Sequence, residues 1–218
     1  MSGALEPHAR ALADGMAALG IAPAPGLLAR LLAFGELLLK WNRVYNLTAI
    51  REPGEVVTHH LLDALAVLPW IEDPRTLADV GSGAGLPGIV LALARPAMMV
   101  YSIEAVGKKV SFQQQVKIEL KLENLVVIQR RAEAIRPAEL PGGSGAEGVI
   151  SRAFSSLADF VRLAGHLVEA GGALYAMKGA RPEAEMAALP AGWLLEAVRT
   201  LTVPGLEARR HLLSIRRK

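Results

Sequence analysis

The chain has 218 residues, which suffice for one α/β domain with an extension and hardly for two independent cores. Cysteine is absent, which excludes disulfides, thiolate zinc sites and a cysteine nucleophile. Apolar residues make up 52% of the chain, but Gly and Pro interrupt every apolar run before it could span a bilayer, and charged residues near the N-terminus argue against a secretory signal. We therefore expect a cytoplasmic protein.

Basic residues are unevenly distributed, although the formal net charge is only +3. They cluster at Lys108 and Lys109, at Arg130 and Arg131, and between residues 209 and 218. Such clusters fit an anionic partner such as nucleic acid. For any single pair, a solvated surface is the more common explanation.

The first part of the chain is predicted to be helical. The Ala-rich residues 1–24 run into the breaker segment 22–26, and apolar residues then recur at helical spacing from Leu27 to Trp41. A third helix, at about 56–68, carries His59, His60 and Asp63. We interpret the His and Asp at three-residue spacing as a hydrogen-bonded pair that fixes this helix, because no third ligand or nucleophile accompanies them. Residues 1–70 are thus predicted to form a helical extension packed on a domain of residues 71–218.

Strand and helix patterns alternate after residue 76. Strands are predicted at 77–80, 99–104, 125–129, 148–151 and 172–177, and helices from Pro87, over 108–121 and over 157–169. This alternation implies a parallel sheet with right-handed crossovers. Two further strand-like runs, 193–203 and 211–216, are joined by Pro204-Gly205, which predicts an antiparallel pair at one edge. The fold class is therefore α/β, with a mostly parallel seven-stranded sheet.

A glycine loop separates the first strand from the next helix. Gly81, Gly83 and Gly85 follow the strand, where glycine permits positive φ and close approach of a ligand. A Gly-x-Gly-x-Gly loop is typical of S-adenosylmethionine enzymes. Gly83, Gly85 and Gly88 also spell the dinucleotide fingerprint, which would indicate a nicotinamide cofactor. Counting from Gly81 places Leu86 where the third glycine should be, which favours S-adenosylmethionine; a purely structural turn is the remaining alternative.

The ends of several strands should meet at this loop. In a doubly wound sheet the fourth strand returns beside the first, so Arg152 lies next to the glycine loop, and Glu104 and residues 131–133 form one wall. Glu104 can accept two hydrogen bonds from a ribose diol. Glu133 either contacts the edge of an adenine or simply starts a helix. Arg152 either clamps a carboxylate or phosphate bidentately or forms a structural salt bridge.

Motifs along the chain now point to one family. They are Trp41–Thr48, His60 with Asp63, Asp79–Gly88, Lys108-Lys109 with Phe112, Leu120–Asn124, Ser151–Phe154, Lys178-Gly179 and Arg210–Leu213. In these stretches the chain resembles the bacterial ribosomal small-subunit methyltransferases that methylate guanine at N7, also called glucose-inhibited division protein B. The Gly-Leu-Pro-Gly and Ser-Arg-Ala-Phe motifs are far more specific than the glycine loop.

The resemblance implies a Rossmann-like class I S-adenosylmethionine methyltransferase with 16S ribosomal RNA of the small subunit, in its decoding region, as substrate. It also implies a set of residues that contact the cofactor: Gly81, Leu86, Glu104, Ala132, Glu133 and Arg152. The pattern of the glycine loop adds Gly83 to this set. The chain departs from the family by carrying Glu104-Ala105 and Asp63-Ala64 where Asp-Ser is usual. The acid is retained but longer, and the missing hydroxyls suggest that those serines are supports rather than catalysts.

Methylation of guanine N7 requires alignment more than acid–base catalysis, because N7 has a free lone pair and no proton. We therefore assign no acid–base catalyst, and Arg152 is the one candidate for a catalytic role. Arg152, Lys178 and Arg131 are predicted to bind RNA. We expect no bound metal and no membrane partner. N7 faces the deep, narrow groove of A-form RNA, so the target should be an unpaired guanine in a loop. The alternatives are a ribosome-assembly factor that binds RNA and keeps a residual cofactor site, and a nicotinamide-dependent oxidoreductase.

Overall fold

The computed structural model describes residues 3–22, 24–152 and 154–218. Met1, Ser2, Pro23 and Ala153 lie outside the described residues, and they belong to the first predicted helix, the 22–26 breaker and the Ser151–Phe154 motif. Within the described residues, seven strands form one sheet in the order β3-β2-β1-β4-β5-β7-β6. The strands are β1 Thr76–Val80, β2 Met99–Glu104, β3 Leu125–Gln129, β4 Ala146–Ser151, β5 Val168–Lys178, β6 Trp193–Leu201 and β7 Arg210–Arg217.

The strand order confirms the predicted doubly wound topology. β1 pairs in parallel with both β2 and β4, so the chain reverses direction across the sheet between β3 and β4. β7 lies antiparallel between β5 and β6, which confirms the antiparallel C-terminal edge. At the switch point the Ser151 hydroxyl donates to the Val80 carbonyl at 2.7 Å. The residues that follow β1 and β4 are therefore held side by side.

In the described residues before the sheet, a 3-10 turn at Glu6–His8 is followed by three longer helices. They are α1 Ala9–Ala18, α2 Leu27–Tyr45 and α3, which covers residues 53–65 and is π-helical over Val57–Leu62. The predicted third helix was placed three residues too late, because Pro53 occupies the first turn, where its missing N–H costs no hydrogen bond. None of the helices in the described parts of the chain is both long and apolar enough to cross a bilayer.

The remaining helices flank the sheet. They are α4 Gly88–Ala94, α5 Gly107–Glu119, α6 Leu157–Ala164 and the short α7 Glu183–Ala187, which the sequence pattern did not predict. The predicted helix over 157–169 was wrong at its end, because Gly165–Leu167 form a 3-10 turn and β5 already begins at Val168. Pro87 precedes α4 as its N-cap residue rather than occupying the first turn.

The apolar side chains of the sheet form two buried clusters, one on each face. Alternation along β1 sends Leu77 to one cluster and Ala78 to the other. The cluster around Leu77 also contains Leu12 of α1, Phe34 of α2 and Leu61 of α3. The N-terminal helices therefore share a core with one face of the sheet, and the end of α3 is fixed against the ends of β4 and β7.

Candidate active site

The glycine loop after β1 has the backbone conformation that the sequence predicted. Gly81, Gly83 and Gly85 all adopt positive φ, at 67°, 59° and 81°. Gly81 and Ser82 donate their N–H groups to the Ile103 carbonyl on β2, at 2.9 and 3.2 Å. A Cβ built on Gly83 would meet nothing within 4 Å, so the backbone of this loop is open to a ligand.

A fully buried glutamine braces this loop from below. Gln113 of α5 donates its Nε2 to the Ser82 hydroxyl at 2.9 Å and to the Gly83 carbonyl at 2.8 Å. Sequence reasoning missed this residue, because a glutamine within a helical run carries no signal of a contact with a loop about thirty positions away. The loop is therefore held by side-chain bonds as well as by its own turn.

Glu104 closes β2 and faces the glycine loop. Its Oε2 accepts the Gly83 N–H at 2.8 Å and its Oε1 accepts the Val106 N–H at 2.8 Å. The residue is only 6% exposed, so its carboxylate does not move freely in solvent. The two backbone N–H groups fix its orientation. Each carboxylate oxygen has further acceptor capacity, which fits the predicted contact with a ribose diol.

Asp79 of β1 lies buried beneath the start of α4. Its Oδ2 accepts the Gly88 N–H at 2.8 Å, while Oδ1 finds no hydrogen-bond partner among the described residues. Burial raises the pKa of Asp79 to about 7, and the Gly88 hydrogen bond and Arg152 oppose that rise. Gly88 is the third glycine of the literal fingerprint, and its role here is to let the helix backbone approach this carboxylate.

We predict that Gly88→Ala destabilises the protein through Asp79. A Cβ at position 88 would lie 2.7 Å from Asp79 Oδ2 and 2.9 Å from Asp79 Cβ, both closer than packed atoms normally approach. We expect the free energy of unfolding, measured by urea titration, to fall by about 2 kcal/mol. Gly107→Ala is the matched control, because it also changes the first residue of a helix and meets only the end of the Gln129 side chain, at 3.3 Å. Equal stability of the two variants would contradict the prediction.

Arg152 at the end of β4 belongs to an ion cluster centred on Asp63. Asp63 Oδ2 accepts from Arg152 Nη1 at 3.3 Å, and Asp63 Oδ1 accepts from Arg210 Nε at 2.8 Å. The Asp63 side chain is 2% exposed, against 32% for Arg152 and 24% for Arg210. Asp63 and Arg210 belong to motifs recognised in the sequence, but their contact was not predicted. The residues of the cluster lie on three elements that are far apart in the chain.

The interpretation of His60 and Asp63 as a hydrogen-bonded pair was wrong. His60 Nδ1 faces its neighbour's carbonyl, His59 O, at 3.0 Å and must carry the proton there, so its Nε2 accepts from the Thr48 hydroxyl at 2.9 Å. Thr48 Oγ1 in turn accepts from the Ile50 N–H at 3.2 Å. The histidine therefore fixes the loop between α2 and α3, and Asp63 is left to bind the two arginines.

We predict a pH-dependent contribution of His60 to stability. Burial, followed by the charge of Arg152, lowers the pKa of His60 from 6.5 to about 4. The unfolded chain therefore binds the proton first, and stability that is present above pH 6.5 is lost as the pH falls towards 4. Relative to His60→Gln, the native chain should lose about 3 kcal/mol of unfolding free energy between these pH values. Denaturant titrations at several pH values test this, and a constant difference between the two proteins would contradict it.

The other predicted site residues lie near the same edge of the sheet. Ala132 is buried and Glu133 is exposed in the first turn of the 3-10 helix Ala132–Ala134, as the helix-start interpretation of Glu133 expects. Arg131 is exposed. Lys178 Nζ is held by the carbonyls of Phe154 and Ser155, at 3.1 and 3.0 Å, and pairs with Glu185 Oε2 at 2.9 Å. Lys178 therefore fixes the loop after β4, and its contact with RNA stays a prediction.

Comparison with known proteins identifies the family to which this site belongs. A family model described as GidB, rRNA small subunit methyltransferase G, matches residues 27–213. The chain belongs to this family. The ribosomal RNA small subunit methyltransferase G of Azoarcus sp. (strain BH72) is 62% identical, over 98% of this chain and 98% of its own. The protein of the same name from Aromatoleum aromaticum is 57% identical, over 96% of this chain and 99% of its own.

Solved structures agree with the family on the fold. TrmN from Thermus thermophilus has a TM-score of 0.57 at 20% identity and covers 71% of this chain and 48% of its own. TYW2 from M. jannaschii, solved in complex with AdoMet, has a TM-score of 0.52 at 16% identity and covers 72% of this chain and 74% of its own. The GidB-family chain thus has the Rossmann-like fold of class I methyltransferases, with S-adenosylmethionine as cofactor. The nicotinamide interpretation of the glycine loop is correspondingly disfavoured.

Proposed function

We propose that this GidB-family protein transfers the methyl group of S-adenosylmethionine to N7 of an unpaired guanine in 16S ribosomal RNA of the small subunit, in the cytoplasm. The observation that carries the proposal is the position of Glu104, whose carboxylate lies against the open glycine loop at the switch point of the sheet. A nucleoside cofactor requires such an acceptor for its sugar beside a backbone that it can approach closely.

The residues at the switch point fit this cofactor. Gly81, Gly83 and Leu86 would line it from below, Glu104 would hold the ribose, and Ala132 with Glu133 would flank the adenine. Arg152 would bind the carboxylate of the methionine part. The unpartnered Asp79 Oδ1 adds acceptor capacity below the loop. When bound, the cofactor supplies an electrophilic methyl group, so the protein needs to contribute neither a nucleophile nor a metal.

Catalysis would consist of alignment and charge placement. Guanine N7 carries its own lone pair, so the enzyme gains most by fixing the guanine in line with the methyl group and excluding water. Arg152 and Arg131 would contact the phosphate backbone, which positions the RNA without reading its sequence. Among the described residues, no group of His, Cys, Asp or Glu side chains is arranged to hold a metal ion.

The test uses labelled cofactor and small subunits from a strain that lacks this protein. We expect tritium from methyl-labelled S-adenosylmethionine to enter 16S RNA at one guanine. Borohydride and aniline, which cleave RNA at N7-methylguanine, should then break the RNA at that guanine. RNA binding without label would instead indicate an assembly factor. Label on another atom or on another RNA would overturn the assignment of the substrate.

A further inference from the structure

A cavity lies between the N-terminal helices and the ends of the sheet strands. Its volume is about 320 Å³, within the usual range of small-molecule sites. The N-terminal side contributes Ile50, His59 and Asp63, and the sheet contributes Arg152, Met177 and Arg210. Arg152, which is predicted to bind the cofactor, lines this cavity as well. The cavity and the cofactor crevice therefore adjoin at one side chain.

One wall of the cavity is cationic. Arg152 and Arg210 share the single carboxylate of Asp63, so the three groups carry a net charge of +1. Both guanidinium groups are partly exposed and keep donors that Asp63 does not use. Guanidinium planes can stack on a nucleobase and bind phosphate oxygens. This wall thus suits an aromatic ligand that carries a phosphate.

The other walls combine apolar surface with an oriented acceptor. Met177 and Leu201 are 6% and 4% exposed and supply apolar surface, together with the half-buried Ile50. His211 donates its Nδ1–H to the Gly179 carbonyl at 2.8 Å, so a neutral ring presents Nε2 as an acceptor. A guanine offers the matching N–H donors on its Watson–Crick edge and an acceptor at O6.

We infer that this cavity receives the target guanine nucleotide after it has left its stack in the RNA. The inference rests on the proposed methyl transfer and adds the location of the methyl acceptor, which neither the family match nor the glycine loop supplies. Methyl transfer requires the guanine next to the bound cofactor, and Arg152, which lines the cavity and is predicted to bind the cofactor, places the two sites side by side. Helix α3 and the loop before it therefore form one side of the acceptor site.

Filling the cavity tests the inference. The backbone of Ile50 is fixed by two side chains, because its N–H donates to the Thr48 hydroxyl and its carbonyl accepts from the Asn42 amide. Ile50→Trp should therefore fold with its ring in the cavity. We expect the kcat/KM for the small subunit to fall at least about tenfold, while the Kd for S-adenosylhomocysteine changes less than about twofold. Leu194→Trp, at a half-exposed position on the edge strand β6, is the control and should leave both values unchanged. Methylation at the native rate by Ile50→Trp would overturn the inference.

A second measurement does not depend on that variant folding. Guanosine 5′-monophosphate is added to the native protein saturated with S-adenosylhomocysteine, with the methionine methyl groups labelled for NMR. The Met177 signal, assigned with Met177→Leu, should shift, and that of Met16, which is buried in α1, should not. An unmoved Met177 signal would overturn the inference whether or not Ile50→Trp folds. The proposed function itself fails only if the native protein transfers no methyl group to guanine N7.

Discussion

Glu104→Ala is expected to lower the affinity for S-adenosylhomocysteine about 100-fold, as measured by calorimetry, while the fold is kept. The substitution removes an ionised acceptor for the ribose diol, and hydrogen bonds to charged groups are worth about 1.5–3 kcal/mol each. It also removes the partner of the Gly83 N–H, so the glycine loop loses one of its restraints. Both effects weaken cofactor binding, and neither depends on the RNA.

Glu119→Ala is the matched control for this prediction. Glu119 ends α5, is exposed, and bonds only to the nearby Gln115 in the described contacts, at 2.7 Å. We expect its cofactor affinity to stay within about twofold of the native value. Glu104→Asp, which restores the acid usual in the family, should recover part of the lost affinity. Unchanged binding by Glu104→Ala would remove the main support for the cofactor site and for the proposed function.

The topology was predictable from the sequence because local patterns along the chain encode it. Short apolar runs gave the seven strands, the alternation with helices gave the parallel order, and that order placed Arg152 beside the glycine loop. The positions of Glu104 and the three glycines follow from the same reasoning, since the end of β2 must lie next to the end of β1 in such a sheet.

The boundaries and the side-chain contacts were less predictable. The end of α6 was misplaced because Gly165–Leu167 and the apolar start of β5 continue a pattern that a helix can also show. His60 was assigned to Asp63 because their spacing on one helix suggests a contact, whereas the backbone directs His60 to Thr48. Asp63 finds its partners 89 and 147 residues away, and no local pattern encodes such distances.

Asp63→Asn is expected to lower the free energy of unfolding by about 3 kcal/mol and to reduce methyl transfer. Breaking a buried ion pair leaves charge without a partner, at a cost of about 3–5 kcal/mol, and the partial exposure of both arginines places the effect at the lower end. Asp14→Asn is the control: the Arg10–Asp14 pair is also formed by an Arg and an Asp, but its side chains are 92% and 73% exposed, so its loss should cost less than about 0.5 kcal/mol.

A double-mutant cycle separates the ion cluster from simple packing. Asp63→Asn and Arg210→Met are measured singly and together, and a coupling energy of at least about 1 kcal/mol is expected, because each substitution alone breaks the same contact. Additive effects would show that Asp63 acts only through its fit in α3. Coupling of the two substitutions in both stability and kcat/KM, with cofactor affinity retained, would instead mean that α3 sets the orientation of the arginines on β4 and β7. The N-terminal helices and the sheet would then act as one site.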